Sequence, residues 1–199
     1  MKILVKVLAL VCLTGIGNFA RADESNKVVW PQGKSAVAWK TKKRLFLVKN
    51  VEPVGFNTAI SFSVKNVDQS KVILISIPID QFDSGEPARD KEVIKILKGD
   101  IQPVLLFTSD PMSEALEKSL NQAQFVGELK GEFKIGGKPF KVSFNTVTVN
   151  DSRGAVLEGE LHTTFSQFEI SPPSVAGGLV AKVKDDLTLM FHIYMSDIK

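Results

Sequence analysis

The chain has 199 residues, with 25 Lys+Arg against 22 Asp+Glu, one Cys, 13 Phe, two Trp and one Tyr. That length suits one domain, or two very small ones, and is enough to bury a proper core. The +3 formal charge comes from Lys2, Lys6 and Arg21, all ahead of the first acid at Asp23, so the balanced remainder lacks the electrostatic footprint of a nucleic-acid or anionic-membrane binder.

Residues 1–22 divide into a charged start at Met1-Lys2, an apolar run from Ile3 to Ile16 broken by Lys6 and Thr14, and a closing Ala20-Arg21-Ala22. Small residues at both ends of that last triplet are what a signal peptidase reads, so a cleaved leader with Asp23 as the new terminus is predicted. The apolar run is shorter than the roughly 20 residues a bilayer-spanning helix needs, and no membrane span is expected after cleavage. Cys12 has Val11 before it and lies too early in the run for lipidation. It is the only cysteine, so residues 23–199 carry no disulfide framework, thiolate nucleophile or sulfur ligand for a metal.

Beyond the leader the dominant period is two. Val54, Phe56, Thr58, Ile60, Phe62 and Val64 alternate with their neighbours, as do Ile73, Ile75, Ile77 and Ile79. Two short helical patterns follow. One runs over Glu86–Leu97 with Pro87 at its start, and the other over Pro111–Leu120 with Ala115, Leu116 and Leu120 as an apolar stripe. Alternation resumes at Phe125, Gly127, Leu129, Gly131, Phe133 and Ile135, then at Phe140, Val142 and Phe144, with Gly136-Gly137 between the runs as a hairpin turn. Ser171–Gly178, holding Pro172-Pro173 and Gly177-Gly178, reads as a loop. The last strand puts Leu187, Leu189, Phe191, Ile193 and Met195 on one face. Alternation of this kind puts apolar side chains on one face of each strand. The class is all-β and antiparallel, one domain over residues 23–199, with about eight strands and one or two short helices. Periodicity leaves barrel against sandwich, and hollow against filled interior, undecided.

Four stretches taken in order resemble one family. Ile77-Pro-Ile-Asp80 with Ser84-Gly85 and Ala88-Arg89-Asp90 is similar to the "ID-(S/T)-G…RD" segment of YceI-like proteins. Pro103-Val-Leu-Leu-Phe107 resembles their "P-x-I-x-F" strand, and Leu129 to Pro139 their "G-x-L-x-I-x-G-…-K-P" hairpin. Thr164 to Ile170 resembles their "S-x-F-x-I" strand, with Val183–Ile193 as the closing strand. The chain departs from the family pattern at Lys98-Gly-Asp100, at Trp30–Lys34, which lacks a histidine, and at Glu169, where glycine is common.

The resemblance implies a lipocalin-like barrel around an elongated apolar cavity, exported to the periplasm. The implied partner is a long-chain lipid: a polyisoprenoid, isoprenoid quinone or fatty-acid derivative, held without catalysis and with no other cofactor. On that basis Phe56, Ile60, Ile73, Ile75, Ile77, Phe107, Phe133, Phe140, Phe144, Phe165, Leu189, Phe191 and Ile193 are the expected cavity lining. The alternative is that the same residues fill a solid core, making the chain an interaction module for a periplasmic or membrane redox partner. Phenylalanine without polar handles suits hydrocarbon better than a sugar or a base. Arg89 is the candidate for a lipid head group, against a structural role beside Asp90. Lys42-Lys43-Arg44 is a second candidate, against a solvated turn. A homodimer is left open.

Catalytic patterns are lacking. His162 and His192 alternate away from the apolar face and are expected at the surface, which leaves no metal site. The sequence holds no G-x-S-x-G, G-x-G-x-x-G or P-loop, so no enzyme is predicted.

Overall fold

A computed structural model describes residues 28–45, 49–68, 70–175 and 181–198. The leader at 1–22, the cleavage point at Asp23 and the Gly177-Gly178 pair lie outside them.

Eight strands of six or more residues carry the fold: β1 (Ala36–Leu45), β4 (Ser61–Val67), β5 (Ser70–Pro78), β6 (Val104–Ser109), β7 (Val126–Ile135), β8 (Lys138–Asp151), β9 (Gly154–Thr163) and β11 (Ala181–Tyr194). Three short pieces, β2 (Lys49–Val51), β3 (Val54–Asn57) and β10 (Ser174–Val175), flank β1 and β11. Every pairing is antiparallel, in the order β2-β1-β11-β9-β8-β7-β6-β5-β4. Gly136 and Gly137 join β7 to β8 with φ of 55° and 85°, the double left-handed geometry of a tight hairpin that glycine adopts without strain.

The ladder has a seam. Among the described residues no ladder joins β3 to β4, so the sheet curls without closing. The gap is spanned by a backbone bridge between Phe56 and Asp83, 2.8 Å in both directions, and by the Asn57 side-chain amide donating to the Pro78 carbonyl at 2.7 Å. Asn57 also accepts from the Ala59 N–H at 2.9 Å, forming a local turn. That turn breaks the run predicted to be continuous from Val54 to Val64 into β3 and β4.

Helix α1 (Pro87–Ile96) lies between β5 and β6 and covers the end of the barrel where β5 finishes and β6 begins. Its first turn is fixed by Asp90, which accepts from the Ser84 N–H at 3.1 Å and the Ser84 hydroxyl at 2.6 Å. Helix α2 (Glu114–Asn121) lies in the β6–β7 connection, at the end where β6 finishes and β7 begins. Ser113 caps it by accepting from the Leu116 N–H at 3.2 Å, and its Leu120 enters the core. Among the described residues no helix is long and apolar enough to cross a membrane.

The outward face of β11 is not bare. Trp30 folds over it, stacking on His192 at 5.4 Å between ring centroids and meeting Phe56 edge-on at 5.9 Å. His192 is therefore only 8% exposed, with Nδ1 2.9 Å from Glu158 Oε1, which corrects the expected surface position. His162 is exposed as expected, its Nδ1 3.3 Å from the Thr188 hydroxyl. Tyr194 is buried beside His192 and donates its hydroxyl to Asp151 Oδ2 at 2.5 Å, with the Arg153 guanidinium 4.1 Å above its ring. Arg153 also pairs with Asp197 and donates to the Gly33 carbonyl at 3.0 Å, while Asp197 accepts from the Ser35 hydroxyl at 2.7 Å. One cluster thus ties the β8–β9 hairpin to residues near both ends of the described chain.

The Tyr194 hydroxyl, with backbone N–H groups of Arg153 and Gly154, holds the Asp151 carboxyl below the ordinary carboxylate range. A depressed carboxyl adds stability above its unfolded value and loses it as pH falls through the folded one. The same bond raises the Tyr194 hydroxyl, whose contribution is present below its unfolded value of about 10 and lost as pH rises through the folded value. Tyr194→Phe should lower the melting temperature at pH 7 by about 2–4 °C. The gap to wild type should narrow at pH 3 and again above pH 11, as followed by circular dichroism; a gap independent of pH would show that this bond contributes nothing.

Candidate functional site

The inward faces of the strands do not meet. They enclose an apolar cavity of about 460 Å³, roofed by α1 on its Ala88, Val93, Ile96 and Leu97 side. Of the thirteen residues expected to line it, ten do: Ile73, Ile75 and Ile77 of β5, Phe107 of β6, Phe133 of β7, Phe144 of β8, Phe165, and Leu189, Phe191 and Ile193 of β11. Three do not. Phe56 faces outward under Trp30 because β3 pairs with β1 so that Phe56 sits opposite Ala38. Ile60 lies in the β3–β4 turn that Asn57 creates. Phe140 stands behind Phe168, edge to face at 5.6 Å, and Phe168 takes the wall position.

Why this interior stays hollow is a matter of large rings laid over small residues. A Cβ at Gly159 would fall 2.2 Å from the Phe191 ring, one at Gly131 2.6 Å from the Phe107 ring, and one at Gly55 2.6 Å from the Trp39 indole. Each aromatic lies against the backbone of its neighbouring strand instead of standing into the cavity. Phe144 links the rings, 6.2 Å from both Phe107 and Phe133 and 5.2 Å from Phe191, in the tilted and edge-to-face geometries that aromatic quadrupoles favour. The Trp39 indole N–H is buried with no hydrogen-bond partner among the described residues.

Several wall residues were not singled out from the sequence, among them Val37, Trp39, Leu157, Phe168 and Val183. Their signal was parity on strands whose registers were unknown. Phe165 and Phe168 are held by a turn over Ser166–Phe168. Asp185 of β11 accepts from the Ser166 N–H at 3.0 Å and its hydroxyl at 2.6 Å, and these bonds keep its carboxyl below the ordinary range. Glu169 ends the turn in the left-handed region, φ 56°, a conformation that favours glycine, and its side chain pairs with Lys138.

Among the described residues, the charged members of the wall are Lys43 of β1, Glu86 just before α1, and Arg89 and Glu92 of α1, all at the roofed end. Arg89 reaches this rim but also donates to the Ser84 carbonyl at 3.2 Å, so part of its guanidinium holds the turn before α1. Lys42 points away and pairs with Asp186 at 3.1 Å, and Arg44 is exposed. Among the described residues no three His, Cys, Asp or Glu side chains are grouped to hold a metal ion.

An antiparallel, eight-strand curl around an apolar hollow defines a lipocalin-like protein. The YceI-like domain model matches residues 32–195, and the chain belongs to that family. No curated protein sequence matches the chain. The fold is shared with solved structures. A polyisoprenoid-binding domain from Saccharophagus degradans superposes with a TM-score of 0.58 at 10% identity, over 79% of this chain and 94% of that one. Burkholderia cenocepacia BcnA gives 0.55 at 16% identity over the same shares. A mutant of the Campylobacter jejuni YCEI protein gives 0.52 at 16% identity, over 95% of this chain and 96% of that one.

Gly159→Ala should drive the Phe191 ring toward the cavity and cost about 1–3 kcal/mol by overpacking. Adding Phe191→Leu should restore most of that loss in urea denaturation. Two additive losses would show that ring and glycine are not a matched pair.

Proposed function

We propose that this protein is exported and binds a long-chain amphiphile in its barrel cavity, carrying or storing it without turnover. The observation that carries this reading is the 460 Å³ hollow walled by isoleucine, leucine and phenylalanine. Burial of each methylene contributes about 0.8 kcal/mol, so a five-carbon isoprene unit adds about 4 kcal/mol at most. A few such units approach strong binding even after ordering costs, with no reactive group required. Membership of the YceI-like family supports the reading, as does the shared fold with a polyisoprenoid-binding domain. The space between the inward faces favours this reading over a module with a solid interior. The signal-like residues 1–22 support export, with the periplasm as the address in a Gram-negative cell.

Protein purified from the exported fraction should begin at Asp23. Extraction with organic solvent and mass spectrometry should yield close to one lipid per protein. Protein that emerges empty and takes up no added prenyl or acyl chain would refute the carrier reading.

A further inference from the structure

The cavity rim carries two basic and two acidic side chains, Lys43 and Arg89 with Glu86 and Glu92, and they differ in what else they touch. At the rim Lys43 is inward by parity, continuing the wall positions Trp39 and Thr41. It is half-buried, and among the described residues no carboxylate pairs with it. The rim acids are placed differently: Glu92 Oε2 lies 3.6 Å from Lys95 Nζ, and Glu86 is exposed to solvent. Arg89 keeps donors beyond the one spent on Ser84. A half-buried lysine on the wall of a hydrocarbon pocket gains most from an anion that arrives with the chain.

We infer that the ligand is a single-chain anionic amphiphile whose carboxylate or phosphate head is held by Lys43 and assisted by Arg89. This inference rests on the carrier reading and narrows it.

Lipid-stripped full-length protein is titrated by displacement of anilinonaphthalene sulfonate, using fatty acids, alkyl phosphates and alkyl alcohols of 10 to 24 carbons, and a forty-carbon prenyl alcohol. Affinity should rise about three- to fourfold per methylene until the cavity is filled. Anionic heads should exceed alcohols of equal length about tenfold, and the stronger of the two anionic series identifies the head. Lys43→Gln should abolish that preference while keeping the length profile; Lys43→Arg and Lys42→Gln should retain it. Equal affinity for anionic heads and alcohols, or a head preference untouched by Lys43→Gln, overturns this inference and leaves the carrier reading standing. Binding of no chain at any length defeats both.

Discussion

The structure depends on the pairing of aromatic rings with residues that have no side chain. An eight-strand barrel whose inward positions are phenylalanine and isoleucine would ordinarily fill itself. Here Phe191 lies on Gly159, Phe107 on Gly131 and Trp39 on Gly55, so bulky groups occupy wall thickness instead of interior volume. The rings also shield backbone that glycine would leave bare and give those strand positions something to pack against. Hollowness is thus a product of cross-strand register as much as of composition.

The roof and the floor differ in kind. α2 is amphipathic, capped by Ser113, and buries Leu120 and Leu116 against the core. α1 is weakly amphipathic and holds only Val93 deeply, but it carries the rim charges. Its orientation is set at its first turn by Asp90 and Arg89, which both grip Ser84. Arg89 therefore serves the two roles that were alternatives in the sequence: it holds the turn and it faces the cavity mouth.

Most of the fold was legible because alternation maps directly onto strand faces, and ten of the expected wall residues follow from it. The failures have local causes. Phe56 and Ile60 were placed on one strand because periodicity does not register the turn that Asn57 makes with its own side chain. Phe140 has the right parity, but a ring from the Ser166–Phe168 turn reaches in front of it. His192 has outward parity and is nonetheless buried, since Trp30 folds back from the far end of the sequence to cover it. Within Lys42-Lys43-Arg44, parity separates the inward Lys43 from its neighbours once the register of β1 is known. The match of glycine to ring was not legible, because it joins residues on different strands whose alignment no single run of sequence contains.

The seam beside β4 leaves one edge of that strand without a ladder partner among the described residues, the kind of border along which polypeptides join into aggregates. Ser61, Ser63, Lys65 and Asn66 stand exposed along it. Lysine is a residue natural sheets place at such borders, because adding a further strand would bury its charge. A girdle left unfastened is thus hemmed with polar side chains, the kind of border least inviting to a second copy.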